Sequence, residues 1–260
     1  MPSSKQRRAI RSPAIILRRR DMGEADRLLT VLTPQYGKRD LIAYGARKPT
    51  SRKTGHVELF TLIDVLMNIR RELGTASQVE MIEPFLPLRE SLKLGAYASY
   101  VAELMDRFTQ TGDEDTPAAL FDLLRDTLAR LCAEPEPRLV LRYYEVHLLG
   151  LMGYRPQLLR CVQSGGDVLP ENQFFSFDEG GVVCQEYGAG NPNLAGLSFP
   201  VLKLLRHIQR SPFRQVGALQ LHERVHAEAE ALMIGYITYI LERQLQSVTF
   251  IRRLRRQFPD

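Results

Sequence analysis

The stretch AIILRRRDMGEADRLLTVLTPQYGKRDLIAYGARKPTSR, residues 14–52, decides the fold. Its apolar residues fall into short runs, AIILRRR (14–20), DRLLTVLT (26–33) and RDLIAY (39–44), divided by DMGEA and PQYGK. Runs of this length between glycine-bearing breaks read as β-strands. Tyr36-Gly37-Lys38 predicts a tight hairpin turn with Gly37 at positive φ. Further along, the polar loop GARKPTSRKTG precedes VELFTLIDVLMNIR (57–70), then ELG and TASQVEMIE (75–83). Five short strands in about 70 residues, with one long basic loop, have the rhythm of an OB-type barrel. A small SH3-like barrel would give much the same pattern.

The same segment holds the excess positive charge. Residues 1–80 carry 16 Lys and Arg against 8 Asp and Glu, a balance of +8; the other 180 carry 19 against 22, a balance of −3. Such a field attracts polyanions, because each phosphate neutralised by Lys or Arg releases condensed counterions. Nucleic acid is the partner this predicts. The candidate contacts are Arg18, Arg19 and Arg20 at one strand end and Arg27, Lys38 and Arg39 near neighbouring strand ends. Arg47, Lys48, Arg52 and Lys53 add a basic loop. Tyr36, Tyr44 and Phe60 are candidate stacking platforms, each stacked base being worth roughly 1–3 kcal/mol. Aromatics are sparse here and tryptophan is absent, which favours backbone binding with little sequence preference.

After Glu83-Pro84 the period changes. Leu94, Tyr97, Val101, Leu104 and Phe108 recur at steps of three and four, the stripe of an amphipathic helix. Thr116-Pro117 reads as an N-cap and first helical residue, and Leu120, Leu124, Leu128 and Leu131 share one face before AEPEP stops the helix. Arg138–Gly153 is apolar on most sides, which predicts a central core helix. Residues 154–196 lose periodicity and gather Gly, Pro and Asn, so they read as a loop-rich insert. Helical signal returns at Pro200–Gln209 and runs strongest over Ala218–Gln246. The predicted fold class is α+β: an OB-type barrel over residues 1–83 and a helical domain over 84–260, with the insert at 154–196. A hydrophobic share of 44% with 25% charged residues excludes a disordered chain. No apolar run approaches the roughly 20 residues that span a bilayer, and AIIL is too short for a signal-peptide core. The predicted location is therefore the cytoplasm, away from any membrane.

Two segments resemble a known family. Residues 14–52 resemble the N-terminal domain of the RecO family of recombination mediators. YYEVHLLGLMGYRPQLLRCVQSGG (143–166), followed by FSFDEGGVVC (175–184), resembles that family's central segment. The resemblance implies an N-terminal OB fold, a helical C-terminal domain and no enzymatic turnover or cofactor. It also implies DNA repair by homologous recombination: binding of single- and double-stranded DNA, strand annealing, and partnership with RecR and the single-strand-binding protein (SSB) in loading RecA. Many family members carry two C-x-x-C pairs in the insert. Here Cys161-Val162-Gln163-Ser164 and Cys184-Gln185-Glu186-Tyr187 keep one cysteine each, so two of the four thiolates of a tetrahedral structural zinc are missing. No histidine lies between residues 148 and 206 to replace them, and no metal is predicted. The helical domain is expected to dock the acidic, apolar C-terminal tail of SSB. Its carboxylate needs a cation beside an apolar groove, for which Arg142, near Tyr143, Val146 and Leu149, and Lys203 and Arg206, beside Leu204-Leu205, are candidates.

One motif points elsewhere. His222-Glu223-Arg224-Val225-His226 matches H-E-x-x-H, the zinc-protease helix with two ligands one turn apart and a glutamate base. Against it, Arg224 and Glu228 place charges where that helix runs apolar, and His222 falls in line with Val225, Ala229, Leu232 and Tyr236, the flank of a core stripe. A general RNA-binding module is a further alternative. The three cysteines, Cys132, Cys161 and Cys184, are an odd number and suggest no disulfide framework. No Gly-rich phosphate loop supports ATP use. The C-terminal FIRRLRRQF (250–258) presents Arg252, Arg253, Arg255 and Arg256 either as a second contact for DNA or an acidic partner, or as a solvated tail.

Overall fold

A computed structural model describes residues 9–48, 51, 55–69, 73–242 and 244–257 of the chain. Strands β1 (Ala9–Met22), β2 (Asp26–Thr33), β3 (Gly37–Ala43), β4 (Leu62–Asn68) and β5 (Leu73–Glu83) close into a barrel in the order β1-β2-β3-β5-β4. The first strand is long enough to serve two neighbours. Its N-terminal half pairs antiparallel with β4, from Ala9↔Asn68 to Ile15↔Leu62, and its C-terminal half pairs with β2, from Ile15↔Leu32 to Met22↔Asp26. A bulge between Ile16 and Arg18 bends the strand from one partner toward the other. Strand β3 skips β4 and pairs in parallel with β5, from Asp40↔Leu73 to Ile42↔Thr75. That crossover is the Greek-key closure of an OB fold rather than a simple meander. Ile16, Leu29, Val31, Leu41, Ile63 and Val65 fill the interior.

Gly37 opens β3 at φ +59°, as the hairpin reading requires, and has a second reason to lack a side chain. A Cβ there would overlap the carbonyl oxygen of Asp113. The fourth strand is shorter than expected. Phe60, buried and at φ +65°, donates its N–H to Ile16 O at 2.9 Å and ends the regular backbone before Leu62. Helices α1 (Pro87–Glu90), α2 (Leu92–Phe108) and α3 (Ala118–Ala133) follow. They belong with the barrel to one compact unit, Met1–Ala133, which the segment Ser247–Asp260 rejoins.

The second unit, Glu134–Gln246, is built on α4 (Pro137–Leu151), the predicted core helix, with Leu139, Tyr144 and Leu148 wholly buried. Residues 154–196 are more ordered than a loop-rich reading allows. Strands β6 (Gln173–Ser176) and β7 (Gly181–Val183), short helix α5 (Gln185–Gly188) and strand β8 (Ala195–Leu197) follow one another there, and the strands form a three-stranded sheet in the order β7-β6-β8. Strands of three or four residues are too short to show a period of two. Helices α6 (Phe199–Arg210), α7 (Phe213–Gly217) and α8 (Glu223–Leu241) complete the unit.

The long helical signal over Ala218–Gln246 is interrupted. Glu242 adopts φ 51°, a left-handed C-cap that stops α8, and α9 (Gln246–Gln257) starts afresh. Glu103 holds that start, accepting the Ser247 N–H at 2.8 Å and the Ser247 hydroxyl at 2.5 Å. Val248 and Ile251 are buried, so α9 packs through these two residues. Arg253 is exposed on it, while the side chains of Arg252, Arg255 and Arg256 lie outside the described residues. No helix among the described residues is long and apolar enough to cross a membrane.

Candidate nucleic-acid interface

Strand alternation sorts the barrel's cations before any partner is considered. In the ladders Arg19 stands opposite Leu29, and Arg27 opposite Ala43, both core positions, so the two arginines share the inward face at one end of the barrel. Both reach Glu58: Arg19 Nη1 pairs with Oε2, and Arg27 Nη1 lies 3.1 Å from Oε1. Arg27 Nε is also 3.4 Å from Asp21. The two guanidiniums share this carboxylate, with 32% of the Arg19 side chain and 16% of the Arg27 side chain exposed.

Lys38 and Arg39 are buried within the fold. Lys38 is 6% exposed and donates to Asp106 O at 2.6 Å, Asp106 Oδ1 at 3.0 Å and Thr109 O at 2.5 Å. An ammonium has three protons to give, and here all three are taken by the end of α2. Arg39 is also buried, with Nε donating to Tyr36 O at 2.7 Å and Nη2 to Glu114 at 2.9 Å. Arg18 is half-exposed and pairs with Asp106 at 3.2 Å. Sequence reasoning counted these cations but missed the acids, Asp21, Glu58 and Asp106, that the fold brings to them.

Exposed residues gather around the β1–β2 turn and the start of the long loop, where Arg47 Nε lies 3.5 Å from Asp21. Gly45 N–H donates to Asp26 at 2.7 Å, Arg47 N–H to Ala25 O at 2.8 Å, and the Arg47 guanidinium to Gly23 O at 3.2 Å, so the two loops are tied together. Arg20 is exposed, and its side chain makes no ion pair or hydrogen bond among the described residues. Lys48 is exposed, Arg47 keeps 37% of its side-chain surface, and Tyr44 stands 55% exposed at the end of β3. Of the three candidate stacking residues, Phe60 is core and Tyr36 packs against the barrel interior, which leaves Tyr44. Arg52 and Lys53 lie outside the described residues.

The cations named for a docking tail fare differently from one another. Arg142 is 3% exposed and pairs with the wholly buried Glu145 at 2.5 Å, so it cannot meet a partner's carboxylate. Arg206 is spent on the insert: Nε donates to Leu158 O at 2.9 Å and Nη2 to Val168 O at 3.3 Å. Lys203 is exposed, but Leu204 and Leu205 beside it are buried and offer no groove. A shallow groove of about 180 Å³ does exist elsewhere in this unit, lined by Val146, His147, Gly150, Leu151, Arg155 and Gln209. Arg155 is its exposed cation, and the sequence offered no period that would have singled it out.

Cys161 and Cys184, the cysteines left in the two degenerate pairs, come together. Cys184 N–H donates to Cys161 Sγ at 3.3 Å. Burial pushes the Cys161 thiol up, but the Ser164 hydroxyl and the N–H groups of Cys184, Ser164 and Gln163 outweigh it and bring it to about 7. Burial and the adjacent Cys161 sulfur push Cys184 up to about 11. The H-E-x-x-H segment is engaged in structural duty. His222 is the N-cap of α8 and accepts the Arg224 N–H at 3.3 Å, so it precedes the helix instead of sharing its face with His226. Glu223 pairs with Arg138 at 2.6 Å, and burial, then the neighbouring Arg138, hold His226 below its usual range.

Comparison with known proteins places this architecture. Residues 8–85 match the family model described as Recombination protein O N terminal, and residues 89–249 match Recombination protein O C terminal. A DNA repair protein RecO of Roseiflexus sp. is 39% identical over 248 residues, covering 95% of this chain and 87% of the relative. The protein of the same name from Pelotomaculum thermopropionicum is 39% identical over 243 residues, covering 94% and 93%. With a barrel of OB topology under the first match and the α4–α8 unit within the second, the chain belongs to the RecO family of DNA repair proteins.

Proposed function

We propose that this chain binds single- and double-stranded DNA, anneals complementary strands and, together with RecR, helps load RecA onto single strands covered by SSB. It does so in the cytoplasm, without catalytic turnover or a cofactor. The observation that carries the reading is the exposed cluster of Arg20, Arg47, Lys48 and Tyr44 at one end of an OB barrel in a DNA repair family. OB folds bind oligonucleotides along the β2–β3 face and the neighbouring loops, with cations on the backbone and an aromatic against a base. Arg52 and Lys53 extend the same basic loop in sequence. Replacing Arg20, Lys48, Arg52 and Lys53 together with alanine should weaken single-strand binding alike at all sequences. The slope of log K against log salt should flatten by roughly 0.7 for each phosphate that the variant no longer neutralises. Unchanged affinity and slope in a folded variant would reject this surface. Equal affinity for a matched RNA strand would favour the RNA-binding alternative.

Docking of the SSB tail belongs to the same proposal. Among Arg142, Lys203 and Arg206 only Lys203 is exposed, and the groove at Arg155 sets a cation beside Val146 and Leu151. We place the tail carboxylate at Arg155. Because that site is exposed, its energy is modest and salt-dependent. Titration of a fluorescent tail peptide should show several-fold weaker binding to Arg155→Glu at low salt, with less difference at high salt. Weakening confined to Lys203→Glu would move the site to α6.

A further inference from the structure

We propose that Cys161 and Cys184 form a reversible disulfide that staples the turn at residues 161–166 to the end of β7. Three observations place the two sulfurs for it. The Cys161 segment is a closed turn, with Cys161 N–H donating to Gly166 O and Gly165 N–H to Cys161 O, both at 2.8 Å. The β7 strand lies directly beside that turn: Val162 N–H donates to Val182 O at 2.9 Å, and a Cβ on Gly181 would overlap Val162. Between these two fixed segments Cys184 donates its N–H to Cys161 Sγ at 3.3 Å, which sets the two residues side by side. Both cysteines are free.

Their surroundings give them different tasks. Cys161 is 1% exposed and sits among donors, the N–H groups of Gln163, Ser164 and Cys184 and the Ser164 hydroxyl, that stabilise a thiolate. Cys184 is half-buried and is the more accessible of the pair. A low-molecular-weight disulfide therefore meets Cys184 first. The Cys184 sulfur, losing its proton, attacks the oxidant; the oxidant's S–S bond breaks, a mixed disulfide forms, and one thiolate leaves and takes up a proton. The Cys161 sulfur, already alongside, then gives up its proton and attacks the Cys184 sulfur, displacing the second small thiolate, which takes that proton up. Two electrons pass from the protein's sulfurs to the oxidant, and the two thiol protons end on the released thiols. The product closes the loop that contains β6 and β7.

Glutathione redox buffers test this on the full chain carrying Cys132→Ser, which leaves only the two thiols in question. As the ratio of oxidised to reduced glutathione rises, both thiols should vanish together. The intact mass should fall by two hydrogens, and the peptides containing Cys161 and Cys184 should appear linked. With Cys161→Ser added, glutathione should stay attached to Cys184. The proposal is overturned if Cys161 and Cys184 both remain free in fully oxidising buffer, or if glutathione accumulates on Cys184 while Cys161 is present. Should the Cys161→Ser protein fail to fold, the linked-peptide measurement decides alone.

Discussion

Replacing Arg142 with alanine is expected to destabilise the Glu134–Gln246 unit by about 3–5 kcal/mol, the cost of removing one partner from a buried ion pair. Glu145 has no exposed surface, and Arg142 Nη2 donates to its Oε1 at 2.5 Å. Without that donor a carboxylate is held inside α4 among Leu141, Tyr144 and Leu148, where its charge is poorly solvated. The pair itself is not well satisfied. Arg142 Nε and Nη1 are buried with no hydrogen-bond partner among the described residues, so the desolvation of the guanidinium is only partly offset. Exchanging both residues for apolar ones of similar size, Arg142→Met with Glu145→Leu, should therefore recover most of the stability or exceed the parent. Thermal melts followed by circular dichroism would show the single variant falling by roughly 10 °C and the double variant close to the parent. A single variant that melts with the parent would show that Arg142 does not stabilise this helix. Weaker binding of a tail peptide by Arg142→Ala would accordingly report a damaged unit and not a missing docking residue.

The barrel was legible because its signals are local. Apolar runs of six to eight residues between glycine breaks place β2 and β3 within two or three residues of their observed ends. Gly37 marked the turn between them, and its positive φ follows from the same local chemistry. The closure of the barrel was not legible, since β3 reaches β5 across the whole of β4 and nothing in sequence spacing encodes that pairing. The insert hid its sheet for another reason: β6, β7 and β8 are held by their pairing with one another and not by a period of their own. Site residues were hardest. A basic balance of +8 is a sum over residues, whereas availability depends on which acid the fold sets beside each cation. Glu58 lies 31 residues after Arg27 and still neutralises it, while Arg20, identical in type to Arg19 and adjacent to it, points the other way and stays open. Strand alternation could have separated Arg19 from Arg20, but only once the inward face was known.

Lys38 gives the sharpest contrast between a cation that holds the fold and one that meets a ligand. Its ammonium sits at the C-terminal end of α2 and donates to Asp106 O, Asp106 Oδ1 and Thr109 O, where a positive charge also complements the helix dipole. The backbone reinforces the link, with Gly112 N–H donating to Lys38 O at 2.9 Å. Lys38→Met keeps much of the apolar stem but removes all three donors, leaving two carbonyls and a largely buried carboxylate short of a partner. Asp106 retains Arg18 at 3.2 Å, so the cost falls at the lower end of the range for a broken buried pair, about 3 kcal/mol. That corresponds to a fall in melting temperature of roughly 5–10 °C. At a temperature where both proteins are folded, the salt slope of single-strand DNA binding should be unchanged. Arg20→Ala should do the reverse: its melt should match the parent, and its slope should flatten by roughly 0.7. A Lys38→Met protein that melts with the parent but binds DNA with a flatter slope would return Lys38 to the nucleic-acid surface and refute its role as the strut between β3 and α2.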